Sequence, residues 1–237
     1  MTRNSIARLG SVCVVVSWLL GCASGPPAPD WQVNAHGAMQ RATMAEWEGN
    51  DRVAGVEWRR ALEETRRTAR LDLLALVELS RCAVRQASLD IAPCEGYERL
   101  QADATPETQA YARYLAGVPE AADIPLLPPA HRAVAQWLLV PPTERSSATV
   151  LMALADPVSR LVAAGALLRA GQLDPPGIAV AVDTASQQGW RRPLLAWLQV
   201  QADVAQQSAD AALEALARRR LDALTAGAAA RPARTSD

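Results

Sequence analysis

Prolines and glycines are the residues that most constrain what this chain can fold into. The sequence holds 16 prolines and 13 glycines, and they cluster at intervals. Because proline removes a backbone donor and glycine favours turns, each cluster ends a regular element. The predicted breaks are Gly49-Asn50, Ala92-Pro93, Thr105-Pro106, Gly117 to Pro119, Pro125 to Pro129, Pro141-Pro142, Asp156-Pro157, Gly171 to Pro176 and Gly189 to Pro193.

The segments between these breaks have helical periodicity. From Asp51 to Arg70, apolar residues recur at the spacing of one helix face: Val53, Ala54, Val56, Trp58, Ala61 and Leu62. No segment alternates with a period of two, and the apolar run Ile178 to Val182 lies in a window of helical length. We predict an all-α chain of about ten helices, without a sheet. Asp51, Thr105 and Asp156 are predicted to cap the helices that follow them.

The first 21 residues have the three zones of a secretory signal. Arg3 and Arg8 give a positive start, Leu9 to Leu20 is almost wholly apolar, and Gly21 is the small residue before the cut. A membrane-spanning helix needs roughly 20 apolar residues, so this run is too short for one. A cleaved signal therefore fits better than an anchor helix.

The sequence Leu19-Leu20-Gly21-Cys22 resembles the lipobox of bacterial lipoproteins. The resemblance covers about the first 25 residues and implies that the thiol of Cys22 is acylated, that the signal is cut just before it, and that the new amino terminus also receives a fatty acid such as palmitate. Residues 22–30 would then be the lipidated cysteine and a proline-rich tether, and Ala23 implies the outer membrane, with the protein facing the periplasm. The alternatives are an ordinary signal peptide and an apolar helix that is not removed.

The segment Gly49 to Glu64 resembles the turn and second helix of a tetratricopeptide repeat. Gly49 occupies the turn, and Ala54, Trp58 and Ala61 occupy the small, aromatic and small positions of the repeat. The pattern does not recur 34 residues later, where Ser88, Ala92 and Glu95 stand. The resemblance implies a tetratricopeptide-like region over residues 31–120, and a generic helical bundle is the alternative.

The second half has a different character. Asp156 to Asp174 resembles a HEAT-type helix, and residues 191–224 add two helices with a break near Gln207-Ser208. We expect a second helical region over residues 121–226 and a disordered tail over 227–237. Pro125 to Pro129 is either a boundary between the regions or a kinked connector. The predicted fold is a set of antiparallel helical hairpins, stacked as a short tetratricopeptide/HEAT-like solenoid.

Cys82 and Cys94 are an even pair in what should be an oxidising compartment. We predict a disulfide that closes this small loop, which by the chain-entropy model contributes about 2 to 3 kcal/mol. Two buried thiols are the alternative. We expect no metal site, because His36 and His131 are far away in sequence.

The chain shows little catalytic chemistry. It has no G-x-S-x-G motif, and either histidine is expected to be a surface or core residue. Glu46, Glu48, Glu63 and Glu64 fit the solvated faces of helices better than a glycan-cutting acid pair. The runs Arg66-Arg67-Arg70 and Arg218 to Arg220 could bind anions, but they fit helix termini better. We therefore expect no enzyme activity and no cofactor.

Charge excludes a nucleic-acid partner. Removing Arg3 and Arg8 takes the formal charge from −1 to −3, which leaves no strong basic field. We predict an outer-membrane lipoprotein that acts as a helical-repeat protein-binding scaffold or assembly factor for an envelope complex. Trp47, Trp137 and Trp197 are candidate contacts, although the sequence favours core packing over a contact role for each of them. The alternative is a periplasmic enzyme or enzyme subunit that acts on peptidoglycan or another cell-wall polymer.

Overall fold

The computed structural model describes residues 27–140 and 145–229, and every regular element in these two ranges is helical. The prediction of an all-helical chain without a sheet is confirmed for these residues. Two 3₁₀ helices, Gln101–Asp103 and Ala121–Leu126, flank the fifth α-helix. The α-helices are α1 (Asp30–Glu48), α2 (Asp51–Arg66), α3 (Leu71–Ala87), α4 (Glu95–Glu98), α5 (Pro106–Leu115), α6 (Pro129–Leu138), α7 (Ser147–Met152), α8 (Pro157–Arg169), α9 (Pro175–Gln188), α10 (Arg191–Gln207) and α11 (Ala211–Ala229).

Several helices begin where local sequence chemistry predicts. Thr105 and Asp156 accept backbone N–H bonds at the starts of α5 and α8, and a proline occupies the first helical position after each. The expectation for Asp51 was wrong. Asn50 caps α2 by accepting from the backbone N–H of Val53, and Asp51 instead pairs with Arg192 on α10.

Three helices, α2, α3 and α10, are followed by a left-handed residue that is not glycine. Ala69, Leu89 and Ala209 have φ angles of 53°, 60° and 58°, in the left-handed region that usually favours glycine. The predicted helical stretch from Asp51 to Arg70 therefore stops at Arg66, and the chain turns before α3 begins. The break near Gln207-Ser208 is present as predicted, since α10 ends at Gln207.

α8 lies at the centre of the core. All seven residues from Leu161 to Leu167 are buried, and the helix packs against α3, α5, α6, α7 and α9. Gly165 allows the closest of these approaches, because a Cβ there would lie 2.8 Å from Cγ of Gln86 on α3. Most helix pairs that are adjacent in sequence also pack together, among them α1 with α2, α9 with α10 and α10 with α11.

The end of α3 is where the two halves of the chain meet. The indole N–H of Trp47, on α1, donates to the carbonyl of Val84 at 3.0 Å. The indole N–H of Trp197, on α10, donates to the carbonyl of Ala87 at 3.0 Å. The last four carbonyls of a helix lack intrahelical partners, so these two bonds satisfy groups that would otherwise be buried without one. Trp47 also contacts Trp190, with ring centroids 4.3 Å apart.

A partly buried ion pair fixes the segment between α5 and α6. Arg113 on α5 forms two hydrogen bonds with the carboxylate of Asp123, and Asp123 also accepts from the backbone N–H of Glu120. Bonding to the guanidinium holds the pKa of Asp123 below its usual range. Leu127 is buried in the same hydrophobic cluster as residues of α3 and α8.

Some predictions fall outside the described residues. These are the signal segment 1–21, Cys22, the first part of the tether, the break at Pro141-Pro142 and residues 230–237. The helix α11 runs to Ala229, three residues into the range for which a tail is predicted.

The close approach of α5 to α8 can be tested at Gly117. Its φ is 78°, and a Cβ there would lie 2.9 Å from the backbone nitrogen of Ala170 and 3.0 Å from the carbonyl oxygen of Ala166. Gly171 has a similar φ of 66°, but a Cβ there would meet nothing within 4 Å, so it is a matched control. Both alanine substitutions incur the left-handed penalty of about 1–2 kcal/mol, and Gly117→Ala adds roughly 1–3 kcal/mol of steric strain.

We therefore expect Gly117→Ala to lower the free energy of unfolding by about 2–5 kcal/mol, and Gly171→Ala by about 1–2 kcal/mol. Urea unfolding followed by circular dichroism measures both values. Equal losses for the two variants would show that α8 does not lie against Gly117.

Candidate functional site

A disulfide braces the loop that follows α3. The structure pairs Cys82, on α3, with Cys94, just before α4, in agreement with the prediction, and their Cα atoms are 6.0 Å apart. The left-handed Leu89 turns the chain out of α3, and residues 90–94 have no regular structure. The loop is therefore tied to α3 at both of its ends.

An ion pair fixes the same loop from within. Arg85 donates from Nε and Nη2 to the two carboxylate oxygens of Asp90, at 2.8 and 3.0 Å. Asp90 also accepts from the backbone N–H of Ala92. These bonds to Arg85 lower the pKa of Asp90, so this carboxylate stays charged at neutral pH.

A groove of about 380 Å³ opens beside this loop, and we name it the disulfide groove. Its walls come from α3, the braced loop, α4 and the ends of α5 and α8. Ile91 stands at its rim with 61% of its surface exposed. The groove is lined by Leu79, Cys82, Gln86, Asp90, Ile91, Ala92, Pro93, Cys94, Tyr97, Glu98, Ala112, Leu115, Ala116 and Arg169. Most of these side chains are apolar.

Two polar side chains of the groove are buried without a hydrogen-bond partner. Gln86 is 4% exposed and Tyr97 is 5% exposed. The amide nitrogen of Gln86 and the hydroxyl oxygen of Tyr97 have no partner atom, and neither has the hydroxyl of Ser88 in the same corner of the fold. Burial raises the pKa of Tyr97, so its hydroxyl keeps its proton at neutral pH. The groove therefore holds unused donors beside an apolar lining.

A second depression, of about 330 Å³, lies on the other face of the loop. It shares Cys82, Ala92, Pro93 and Cys94 with the disulfide groove. Its remaining lining is mostly charged and consists of Glu78, Arg81, Arg85, Glu95, Gly96 and Arg99. The braced loop is thus a wall between an apolar groove and a charged depression.

The residues of the tetratricopeptide resemblance lie in the α1–α2 hairpin. Gly49 ends α1 with a φ of 85°, and Ala54, Trp58 and Ala61 are buried. Trp58 donates from its indole N–H to the carboxylate of Glu46 at 3.0 Å. These residues pack the hairpin and do not line the disulfide groove.

The candidate carboxylates have different environments. Glu46 is buried, and desolvation raises its pKa. Glu48 and Glu63 are exposed, while Glu64 pairs with Arg67 at 2.8 Å. The prediction that all four carboxylates are solvated is wrong for Glu46.

The two histidines have different environments. His36 is exposed and bonds Gln40. His131 is buried, its Nδ1 lies 3.1 Å from the hydroxyl of Tyr114, and its ring packs against Tyr111 and Tyr114. Burial lowers the pKa of His131 to about 4, against a small opposing effect of Asp156.

The tryptophans named as candidate contacts are mainly structural. Trp47 and Trp197 are fully buried. Trp137 is half-buried, and the guanidinium of Arg145 lies 4.1 Å from its ring centroid.

The arginine runs lie near helix ends or on an exposed helix. Arg66 is the last residue of α2, Arg67 pairs with Glu64, and Arg70 pairs with Asp72. Arg218 pairs with Glu214 within α11, where Arg218 and Arg219 are exposed and Arg220 is half-buried. Neither run lines the disulfide groove.

The described ranges contain no cluster of three or more metal-ligating side chains. Within them, no helix has both the length and the apolar character that a membrane span requires.

Sequence reasoning identified the cysteine pair but missed the groove. Gln86, Asp90 and Tyr97 become a site only because Leu115 and Arg169, from α5 and α8, close the other walls. The available signal was local: an isoleucine and a proline lie between two cysteines that are predicted to be bonded.

Comparisons with protein-family models, with curated proteins and with solved structures find no match to this chain. The residues and their geometry therefore carry the argument about function.

The burial of His131 predicts its titration. Its folded pKa of about 4 lies below the ordinary value of 6.5, so the unfolded chain binds a proton first as the pH falls. The stability that the neutral ring contributes is complete above about pH 6.5 and is lost as the pH falls towards 4, with an upper bound of about 3 kcal/mol.

Proton NMR of the imidazole signals checks this expectation, and a His36→Gln variant assigns the signal of His131. We expect a midpoint near 4 for His131. A midpoint near 6.5 would contradict a buried ring.

Proposed function

We propose that this chain is an outer-membrane-anchored periplasmic lipoprotein, which acts as a helical protein-binding scaffold or assembly factor for an envelope complex. The observation that carries the binding role is the disulfide groove, an apolar cavity of about 380 Å³ on the surface with an exposed isoleucine at its rim. Exposed apolar surface rimmed by polar residues is typical of sites where a partner docks.

The lipobox resemblance supports the anchoring. Acylation of Cys22 with two or more chains would hold the protein at a bilayer, since each buried methylene contributes about 0.8 kcal/mol. The proline-rich tether from Ala23 to Asp30 extends at most about 25 Å. The first described helix, α1, begins at Asp30, so the helical body would stand close to the leaflet.

The repeat-like architecture is also part of the proposal. We infer that the helices form two short stacks of antiparallel hairpins, one tetratricopeptide-like and one HEAT-like. The tight packing of α1 on α2, with the left-handed Gly49 between them, supports the first stack. Sequential packing of α8, α9, α10 and α11 supports the second. Contacts of α3 with α8 and of α1 with α10 would join the stacks side by side.

Charges in the groove favour binding over hydrolysis of a cell-wall polymer. A glycan-cutting acid needs a raised pKa beside a cleft. In the groove, the pKa of Asp90 is instead lowered by Arg85. Glu46 does have a raised pKa, but it accepts a bond from Trp58 and does not line the groove.

The anchoring is tested at Cys22. We expect Cys22→Ser to abolish fatty-acid labelling in cells and to release the protein into the soluble periplasmic fraction, because the thiol is the acylated group. Cys13, in the apolar run of the signal, provides a matched control, and Cys13→Ser should leave labelling unchanged. Continued labelling of the Cys22→Ser variant would refute the lipobox interpretation.

The binding role is tested by site-specific crosslinking in cells. A photoreactive amino acid placed at Ile91 should give a discrete adduct with an envelope protein, because Ile91 lies at the rim of the groove. The same amino acid at Leu216 on α11, which is 45% exposed, is the control for surface position and should give no such adduct. Identical adduct patterns at both positions, or none at Ile91, would count against a scaffold that uses this surface.

A further inference from the structure

The lining of the disulfide groove is chemically specific, beyond being apolar. The described part of the chain has four buried side-chain atoms without a hydrogen-bond partner, and they belong to Gln86, Ser88, Tyr97 and Gln172. Gln86 and Tyr97 both line the groove. A buried polar group left without a partner costs about 1–3 kcal/mol, so a ligand group that bonded both side chains would recover that cost.

A ligand group that bonds both side chains has to be a hydrogen-bond acceptor. The unpartnered atom of Gln86 is its amide nitrogen, which only donates. The hydroxyl of Tyr97 keeps its proton and can also donate. Both residues line the groove, but the two donor atoms are shielded from solvent, so a bound group can accept from them only if the two side chains rotate towards it.

The charges of the lining favour a neutral acceptor. The negative charge of Asp90 is balanced by the guanidinium of Arg85, which donates two hydrogen bonds to it. The other charged residues of the groove are Glu98 and Arg169, one of each sign. A carboxylate ligand would meet no excess of positive charge here, whereas an amide carbonyl needs none.

The size and the walls of the groove favour a short aliphatic group. A volume of about 380 Å³ lies at the lower end of the range for ligand pockets. Leu79, Ile91 and Leu115 offer aliphatic contacts, and Pro93 narrows the loop side. A branched side chain next to a main-chain carbonyl satisfies both the apolar walls and the donors.

We propose that the disulfide groove binds an extended, uncharged peptide segment of the partner, with a branched aliphatic side chain among Leu79, Ile91 and Leu115 and its adjacent carbonyl accepting from Gln86 and Tyr97. This inference rests on the proposed protein-binding function and specifies the class of ligand. The disulfide keeps the loop wall in place, so the groove exists before the peptide arrives.

The test uses N-acetyl-leucyl-leucine amide as the probe and the full chain in detergent micelles, with labelled isoleucine and leucine methyl groups. NMR titration should give saturable shifts at Ile91 and Leu115, which line the groove, and none at the buried Ile178, which does not. Tyr97→Phe should weaken binding roughly 3- to 10-fold by removing one donor. Tyr111→Phe, the matched control outside the groove, should leave the affinity unchanged.

Ile91→Ser is a second variant, and it changes an exposed residue and so keeps the fold. It should weaken binding at least 3-fold, measured at the methyls of Leu115. The pair Cys82→Ser and Cys94→Ser, made together, should also reduce affinity, because the loop wall is released. Circular dichroism of each variant verifies that it is folded.

Three further ligands decide the chemistry. N-acetyl-seryl-serine amide should not bind, since it lacks the aliphatic group. Tighter binding of the free-acid form of the probe would overturn the proposal in favour of an anion site, and preferential binding of decanoate would overturn it in favour of an acyl-chain site. Absence of saturable shifts with the probe would also overturn it. If the Ile91 crosslink still forms in cells in that case, only the peptide inference fails and the scaffold proposal stands.

Discussion

The carboxyl-terminal end of α3 is the point on which the rest of the structure depends. Two indole N–H groups, from Trp47 and Trp197, donate to carbonyls in its last turn at 3.0 Å each. These carbonyls have no partner within the helix, and burying them unbonded would cost about 1–3 kcal/mol each. One pair of bonds therefore fastens both α1 and α10 to the same helix end, and brings Trp190 against Trp47.

The braced loop begins at this fixed end. Because α3 is held by α1, α8 and α10, the left-handed turn at Leu89 starts from a defined position, and Arg85 reaches forward to Asp90. The disulfide then returns the loop to α3 at Cys82. The groove wall is thus a rigid extension of the core, which reduces the ordering cost of binding.

How much of the structure can be predicted from the sequence depends on how far apart in the chain the interacting residues lie. Thr105-Pro106 and Asp156-Pro157 start helices through bonds that span three residues, and both were predicted correctly. The end of α2 was predicted only to within a few residues, at the run Arg66-Arg67-Arg70, because Ala69 adopts a left-handed conformation that its residue type does not favour. The Cys82–Cys94 pair was predictable from the even cysteine count and from the oxidising compartment that the first 21 residues lead us to expect. The groove was not, since Arg169 and Leu115 reach it only through the tertiary packing of α8 and α5.

The unpartnered donors of the groove differ from several other buried polar side chains of the fold, which have hydrogen-bond partners. Buried Trp58 bonds Glu46, buried His131 bonds Tyr114, and buried Asp123 bonds Arg113. Four buried side-chain atoms in the described residues have no partner, and two of them, on Gln86 and Tyr97, belong to residues that line the disulfide groove. The rigid end of α3 can tolerate that local cost, because the two indole bonds that hold it do not involve the groove. A bound carbonyl would recover the cost at the moment of binding, which makes occupancy of the groove stabilising for the protein as well as for the complex.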